Sequence, residues 1–240
     1  MLSRGTSFLA AGPAHRLPYP AFSRAVQHVV VRAVVVAWES VRNRDTSGIA
    51  PRHEVPITIE LQRELNRMLD TDNDLGFTAS IFETVIRGGE TENADETSLE
   101  RRPDLTFRLA GAAPPDTRRE HYAMFAECKL LDNTHTLKSY CDTGLLRFVG
   151  GEYAWAMSHA LMLAYALPTS RPEELAAFLH GSDEYQTMGE PSLEVAPPAD
   201  GVRSSHGRQR NTGDLDSGPV AITHVWLPFL AARVAKRASG

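Results

Sequence analysis

The chain has little cysteine: Cys128 and Cys141 are the only two in 240 residues. That excludes a disulfide framework and a zinc cage built from cysteine alone, and it suits a reducing cytoplasm. No apolar run is long enough to cross a bilayer, so no membrane span is expected. The opening stretch "MLSRGTSFLAAGPAHRLPYP" has too short an apolar piece for a signal peptide. Residues 1–20 are expected to form a disordered or loosely docked arm. There is also no basic excess. Lys and Arg number 25 against 30 Asp and Glu, a formal charge of −5, whereas general nucleic-acid binders are usually basic. The glycine pairs Gly88-Gly89 and Gly150-Gly151 lack the lysine context of a P-loop, no G-x-S-x-G elbow occurs, and no Cys/His spacing fits structural zinc.

What is present is ordinary for a globular domain: 42% hydrophobic and 23% charged residues. The length fits one domain, expected over 21–240. Charge is uneven along it. Arg101, Arg102, Arg118, Arg119, Arg203, Arg208 and Arg210 group in sequence, while acids gather in "DTDND" and "ETENADETSLE".

Periodicity sets the expected elements. "AFSRAVQHVVVRAVVVAWESVRNRD", 21–45, reads as a long helix, and "EVPITIELQRELNRMLD", 54–70, as an amphipathic one with Ile57, Leu61, Leu65 and Met68 at helical spacing. "GFTASIFETVIRGG", 76–89, "DLTFRLAG" and "HYAMFAECKLL" read as strands. The "APPD" turn makes the last two antiparallel neighbours. A helix or turn is expected near 137–148, a helix near 152–160 and a buried strand near 160–167. "RPEELAAFLHG" is a short helix, with Pro172 in its first turn and Glu173 and Glu174 at its positive end. Residues 182–219 are expected to be a polar loop, and "VAITHVWLPFL" the last strand. The whole predicts an α/β fold with a central mixed sheet flanked by helices.

One stretch resists a purely structural account. Asp104 opens the short strand of "PDLTF", and "FAECKLL" carries Glu127 and Lys129 in mid-strand. Buried charge is costly unless paired or bound to metal. Alternation puts Glu127 and Lys129 on one face, with Cys128 on the other as core. Pairing of the two strands would bring Asp104 near Glu127, where two carboxylates repel and one tends to hold its proton. A divalent cation removes that penalty, and Mg²⁺ favours one or two carboxylates with water and phosphate oxygens. A lysine beside it can orient or deprotonate a water, or stabilise charge on a phosphate. The expectation is a metal-dependent phosphodiester-cleaving site.

Pro103-Asp104 followed by Glu127-Cys128-Lys129 resembles the PD-(D/E)xK nuclease superfamily, which includes the restriction endonuclease-like fold. The resemblance covers roughly residues 54–167 by element order. It implies a nuclease acting on DNA rather than RNA with Mg²⁺ or Mn²⁺, in restriction, phage defence or repair, with a homodimer or the partner subunits of a defence system as company. The superfamily usually adds an acid from the preceding helix, which points to Glu54 first and Glu64 second. "YCDTGLLRFVGGEY" resembles segments that follow the catalytic lysine in some of its bacterial families, giving Arg147 and Tyr153 as nucleic-acid contacts, with Arg147 holding a phosphate or a catalytic carboxylate. "SSHGR" offers His206 and Arg208 in the same role, and His159 reads as a core histidine. Two other readings stand beside the nuclease. One is a nuclease-fold module that binds nucleic acid or a protein without cleaving. The other is a plain α/β protein with a Glu127–Lys129 ion pair at a sheet edge.

Overall fold

The computed structural model describes residues 17–44, 53–71, 73–89, 102–111, 113–167, 170–193, 200–208 and 217–229. Helix α1, Arg24–Asn43, starts where the Ser23 hydroxyl accepts from the Val26 amide, and buries Val30, Val34, Ala37, Trp38 and Val41. Helix α2, Glu54–Leu69, carries Pro56 in its first turn and buries Ile57, Leu61, Leu65 and Met68. Each such side chain contributes roughly 1.5–3 kcal/mol when taken from water. The two helices pack together on one face of the sheet.

That sheet has five strands: β1 (Leu105–Phe107), β2 (Met124–Leu131), β3 (His159–Ala166), β4 (Gly201–His206) and β5 (Val220–Pro228), in the order β1-β2-β3-β5-β4. The central trio β2, β3 and β5 is parallel, and each edge strand is antiparallel to its neighbour. Parallel strands need long crossovers. The first runs through α3 (Leu137–Tyr140), a π-helical turn (Cys141–Leu145) and α4 (Leu146–Val149), and the second through α5 (Pro172–Leu179).

Register assigns the faces. Glu127, Met162 and His224 align across the three central strands, as do Lys129, Ala164 and Trp226. The 137–149 segment covers this face, with Tyr140 packed on His224 and Trp226. Cys128, Leu163 and Val225 alternate to the other face, as do Leu130, Tyr165 and Leu227. There Trp38 of α1 stacks on Tyr165 at 5.3 Å, and Thr58 Oγ1 of α2 lies 3.0 Å from the Tyr165 hydroxyl.

Three expectations are corrected, and a fourth, for the N-terminal arm, is partly described. The strand expected at 76–89 is an irregular segment with isolated bridges to the β1 region at Phe82–Leu109 and Ile86–Thr106, and its Gly88 amide donates to the Pro103 carbonyl at 3.1 Å. Its Val85 amide donates to Asn66 of α2, and the Val85 carbonyl accepts from Asn66 and Gln62, so helix side chains replace ladder bonds. The helix expected near 152–160 is absent. Ala154 has φ of 56°, and the carbonyls of Ala154, Trp155 and Met157 accept from the Arg208 guanidinium instead. The polar loop at 182–219 contains the edge strand β4. Of the N-terminal arm, residues 17–20 are docked: Tyr19 is buried and its amide donates to the Ala156 carbonyl at 2.8 Å. Residues 1–16 lie outside the described residues. No helix among the described residues is long and apolar enough to cross a membrane.

Candidate active site

Asp104 stands one residue before β1, just beyond the Leu105–Ala126 pair, and its Oδ2 accepts from the Cys128 amide at 2.8 Å. This bond fixes the carboxylate at the strand-strand seam beside Glu127. Glu127 is fully buried. Its Oε1 lies 2.7 Å from Lys129 Nζ and accepts from Arg147 Nη1 at 2.8 Å, while the Tyr153 hydroxyl donates to Oε2. Glu54, the first residue of α2, comes from the other layer. Its Oε1 accepts from Lys129 Nζ at 3.2 Å and its Oε2 from the Leu130 amide at 3.3 Å. Lys129, 13% exposed, therefore bridges a buried carboxylate and one that is 28% exposed. The four residues Glu54, Asp104, Glu127 and Lys129, expected together from the sequence, are together.

The electrostatics arise from that crowding. Burial, then the negative charge of Asp104, pushes the Glu127 carboxyl up to about 7, although Lys129 and Tyr153 pull it down. Burial also raises Glu54, with Lys129 opposing and Asp104 adding to the rise. Burial presses the Lys129 ammonium down, but Glu127 and Glu54 outweigh it, so its pKa is raised and it stays protonated at neutral pH. Three carboxylates face two cations, Lys129 and Arg147, leaving one negative charge in excess when all are ionised.

Among the described residues no three Asp, Glu, His or Cys side chains already stand as a metal cage. The reason is visible: the Lys129 ammonium holds the space between Glu54 and Glu127. The donor set nonetheless fits a hard cation. It is made of carboxylate oxygens, it carries excess negative charge, and two of its acids are pushed toward protonation, by burial first and by the charge of Asp104 besides.

The other expected residues divide. Glu64 is buried and tied to Arg67 at 2.5 Å and to Arg44, so it serves α2 and its surroundings rather than the site. Ten residues of helix separate it from Glu54, about 15 Å along the axis. Arg147, 38% exposed, reaches the site and holds the Glu127 carboxylate, one of the two roles expected for it. Tyr153 is buried beneath it, which corrects its expected role as a nucleic-acid contact. His206 is also fully buried, its ring bonded to Ser204 Oγ at 2.7 Å and to the Tyr185 carbonyl at 2.8 Å. Arg208 spends its guanidinium on the carbonyls of Ala154, Trp155, Met157 and Ser217. Neither has a bond to the four convergent residues, so both expected contacts are corrected to structural roles. His159 is the core histidine expected, bonded to Thr223 Oγ1 at 2.9 Å.

Gly144 entered the sequence reading only as a glycine within "YCDTGLLRFVGGEY". It packs directly on the stem of Lys129, and a lone glycine in an apolar helical run was its only signal. A cleft of about 460 Å³ opens elsewhere, lined among others by Asn66, Asp70, Phe82 and Glu83, and none of the four convergent residues lines it. Comparison with protein-family models, curated proteins and solved structures finds no significant match to this chain.

Proposed function

We propose that the chain is a metal-dependent nuclease that hydrolyses phosphodiester bonds in DNA, on a restriction endonuclease-like form of this α/β fold. The observation that carries the reading is the convergence of Asp104, Glu127, Glu54 and Lys129 from two strands and a helix. Titratable groups whose pKa values are shifted by burial and by a specific charge partner mark a candidate functional site. Asp104, Glu127 and Glu54 would hold Mg²⁺ or Mn²⁺. Such an ion polarises a phosphoryl oxygen and acidifies bound water.

The chain's own residues do the rest. In the metal-free protein Glu127 and Glu54 favour the charged form of Lys129, which suits it to donate hydrogen bonds to a water or a phosphate oxygen. Glu54 aims that ammonium from the α2 side. Arg147 uses one N–H on Glu127 and is 38% exposed, so its guanidinium would also be open to a phosphate. Hydrolysis adds water across the bond between phosphorus and the leaving sugar oxygen. The setting that the resemblance implies is restriction or phage defence, alone as a dimer or with partner subunits. Two free, buried cysteines suit the cytoplasm.

One observation favours a second reading, a module that binds nucleic acid or a protein without cutting. Both Glu127 oxygens already have partners in Lys129, Arg147 and Tyr153. Plasmid nicking separates the two. The nuclease nicks with Mg²⁺, stops with EDTA, and loses activity in folded Lys129→Ala. Retained gel-shift binding with no cleavage in Mg²⁺ or Mn²⁺ would favour the module.

A further inference from the structure

We propose that the π-helical turn Cys141–Leu145 is the positioning device of the site, and that Gly144 within it sets the Lys129 side chain. The purpose assigned to it rests on the nuclease reading; the geometry does not. The Leu146 amide donates to the Cys141 carbonyl five residues back, the wide bond of a π turn. Such a turn holds one residue more than an α turn and rotates the succeeding residues around the axis. Here it turns buried Gly144 onto the sheet. A methyl group added at Gly144 would stand 2.5 Å from Met162 Cε and 3.3 Å from Lys129 Cγ. Glycine is disfavoured inside helices, so its presence in this covered spot answers a close approach.

The consequence falls on Lys129. Its flexible stem has the helical segment as a wall, and its ammonium is sent forward to Glu127 and Glu54. Three residues after Gly144, the same segment delivers Arg147 to Glu127. The segment itself is pinned on both flanks. The Tyr140 hydroxyl lies 3.0 Å from His224 Nδ1 beneath it, and Asp142 accepts from the Tyr185 hydroxyl at 2.9 Å. Gly144 and its turn thus act through Lys129 and Arg147 and touch no substrate.

The test is NMR on the protein without metal or DNA. Wild type is expected to show an NOE from Gly144 Hα to the Lys129 γ-protons. It is also expected to show a protected ¹⁵N ammonium signal, assigned by its loss in Lys129→Arg. Absence of either in wild type overturns the proposal. Gly144→Ala is expected to keep its fold but lose the protected signal, and to lower the turnover of plasmid nicking about tenfold with little change in KM. If the new methyl disturbs folding through Met162, Gly144→Ala with Met162→Val removes that clash and leaves the contact with Lys129, and Met162→Val alone is the control. A folded glycine variant that retains the ammonium signal overturns the proposal while leaving the nuclease reading intact. Signals that behave as described in a protein that never nicks DNA sink the nuclease reading alone.

Discussion

Lys129 Nζ lies 2.7 Å from Oε1 of Glu127, its neighbour two residues back on the same strand face. The carboxylate is fully buried and the ammonium nearly so, so neither charge can fall back on water. Removing the lysine as Lys129→Met leaves Glu127 with Arg147 and Tyr153 alone. The expected loss is about 1–3 kcal/mol, less than a lone buried charge would cost because two partners remain. At pH 5, where the folded protein keeps Glu127 largely protonated, Glu127→Gln is expected to change stability by under about 1 kcal/mol. Urea unfolding of both variants without metal measures the contrast.

The pH dependence separates two opposing groups. The Glu127 carboxyl rises from 4.5 to about 7 on folding, so between these values the folded state binds more protons than the unfolded. Stability from this group therefore falls as pH rises through 4.5 to 7, by up to about 3 kcal/mol, and is flat above. Burial moves His159 and His206 the other way, from 6.5 to about 3 and about 4. Their contribution is present above 6.5 and is lost as pH falls below it. The difference between wild type and Glu127→Gln isolates the first effect. Their stabilities in EDTA are expected to converge toward pH 5 and separate toward pH 7, with the variant becoming relatively more stable.

Tyr153→Phe removes the hydroxyl that donates to Glu127 Oε2. A buried acceptor left without its donor costs about 1–3 kcal/mol, read as a lower urea midpoint. Because Tyr153 is buried, gel-shift affinity for DNA is expected to be unchanged.

Arg208 closes a loop whose carbonyls have no ladder to join. Arg208→Ala is expected to cost about 2–4 kcal/mol, since several carbonyls lose a charged donor at once. Wherever the variant is folded, its DNA affinity is expected to match wild type.

The same loop explains what the sequence could and could not reveal. Helices 24–43 and 54–69 and strands β2, β3 and β5 were legible because their apolar spacing is local and strong. The Asp104, Glu127 and Lys129 cluster was legible because charge in an apolar strand demands a reason, and Glu54 entered by resemblance. The irregular parts were hidden because their partners are distant in sequence. Val85 is satisfied by Asn66 and Gln62, and the 154–157 carbonyls by Arg208. Strand β4 was hidden by its polar side chains. Ser204 and His206 look solvent-directed, yet they sit in a buried chain running from Tyr140 through His224 and Ser204 to His206. The π turn was hidden as well, because hydrogen-bond spacing leaves no mark in composition.

The most direct measurement is anomalous diffraction from crystals soaked in Mn²⁺, for wild type and for Glu127→Gln. The expected result is a manganese peak against the carboxylates of Asp104 and Glu127 in wild type, with Lys129 Nζ drawn away from Glu127, and no peak in the variant. No manganese at these carboxylates, with the lysine still bridging Glu54 and Glu127, would contradict the account.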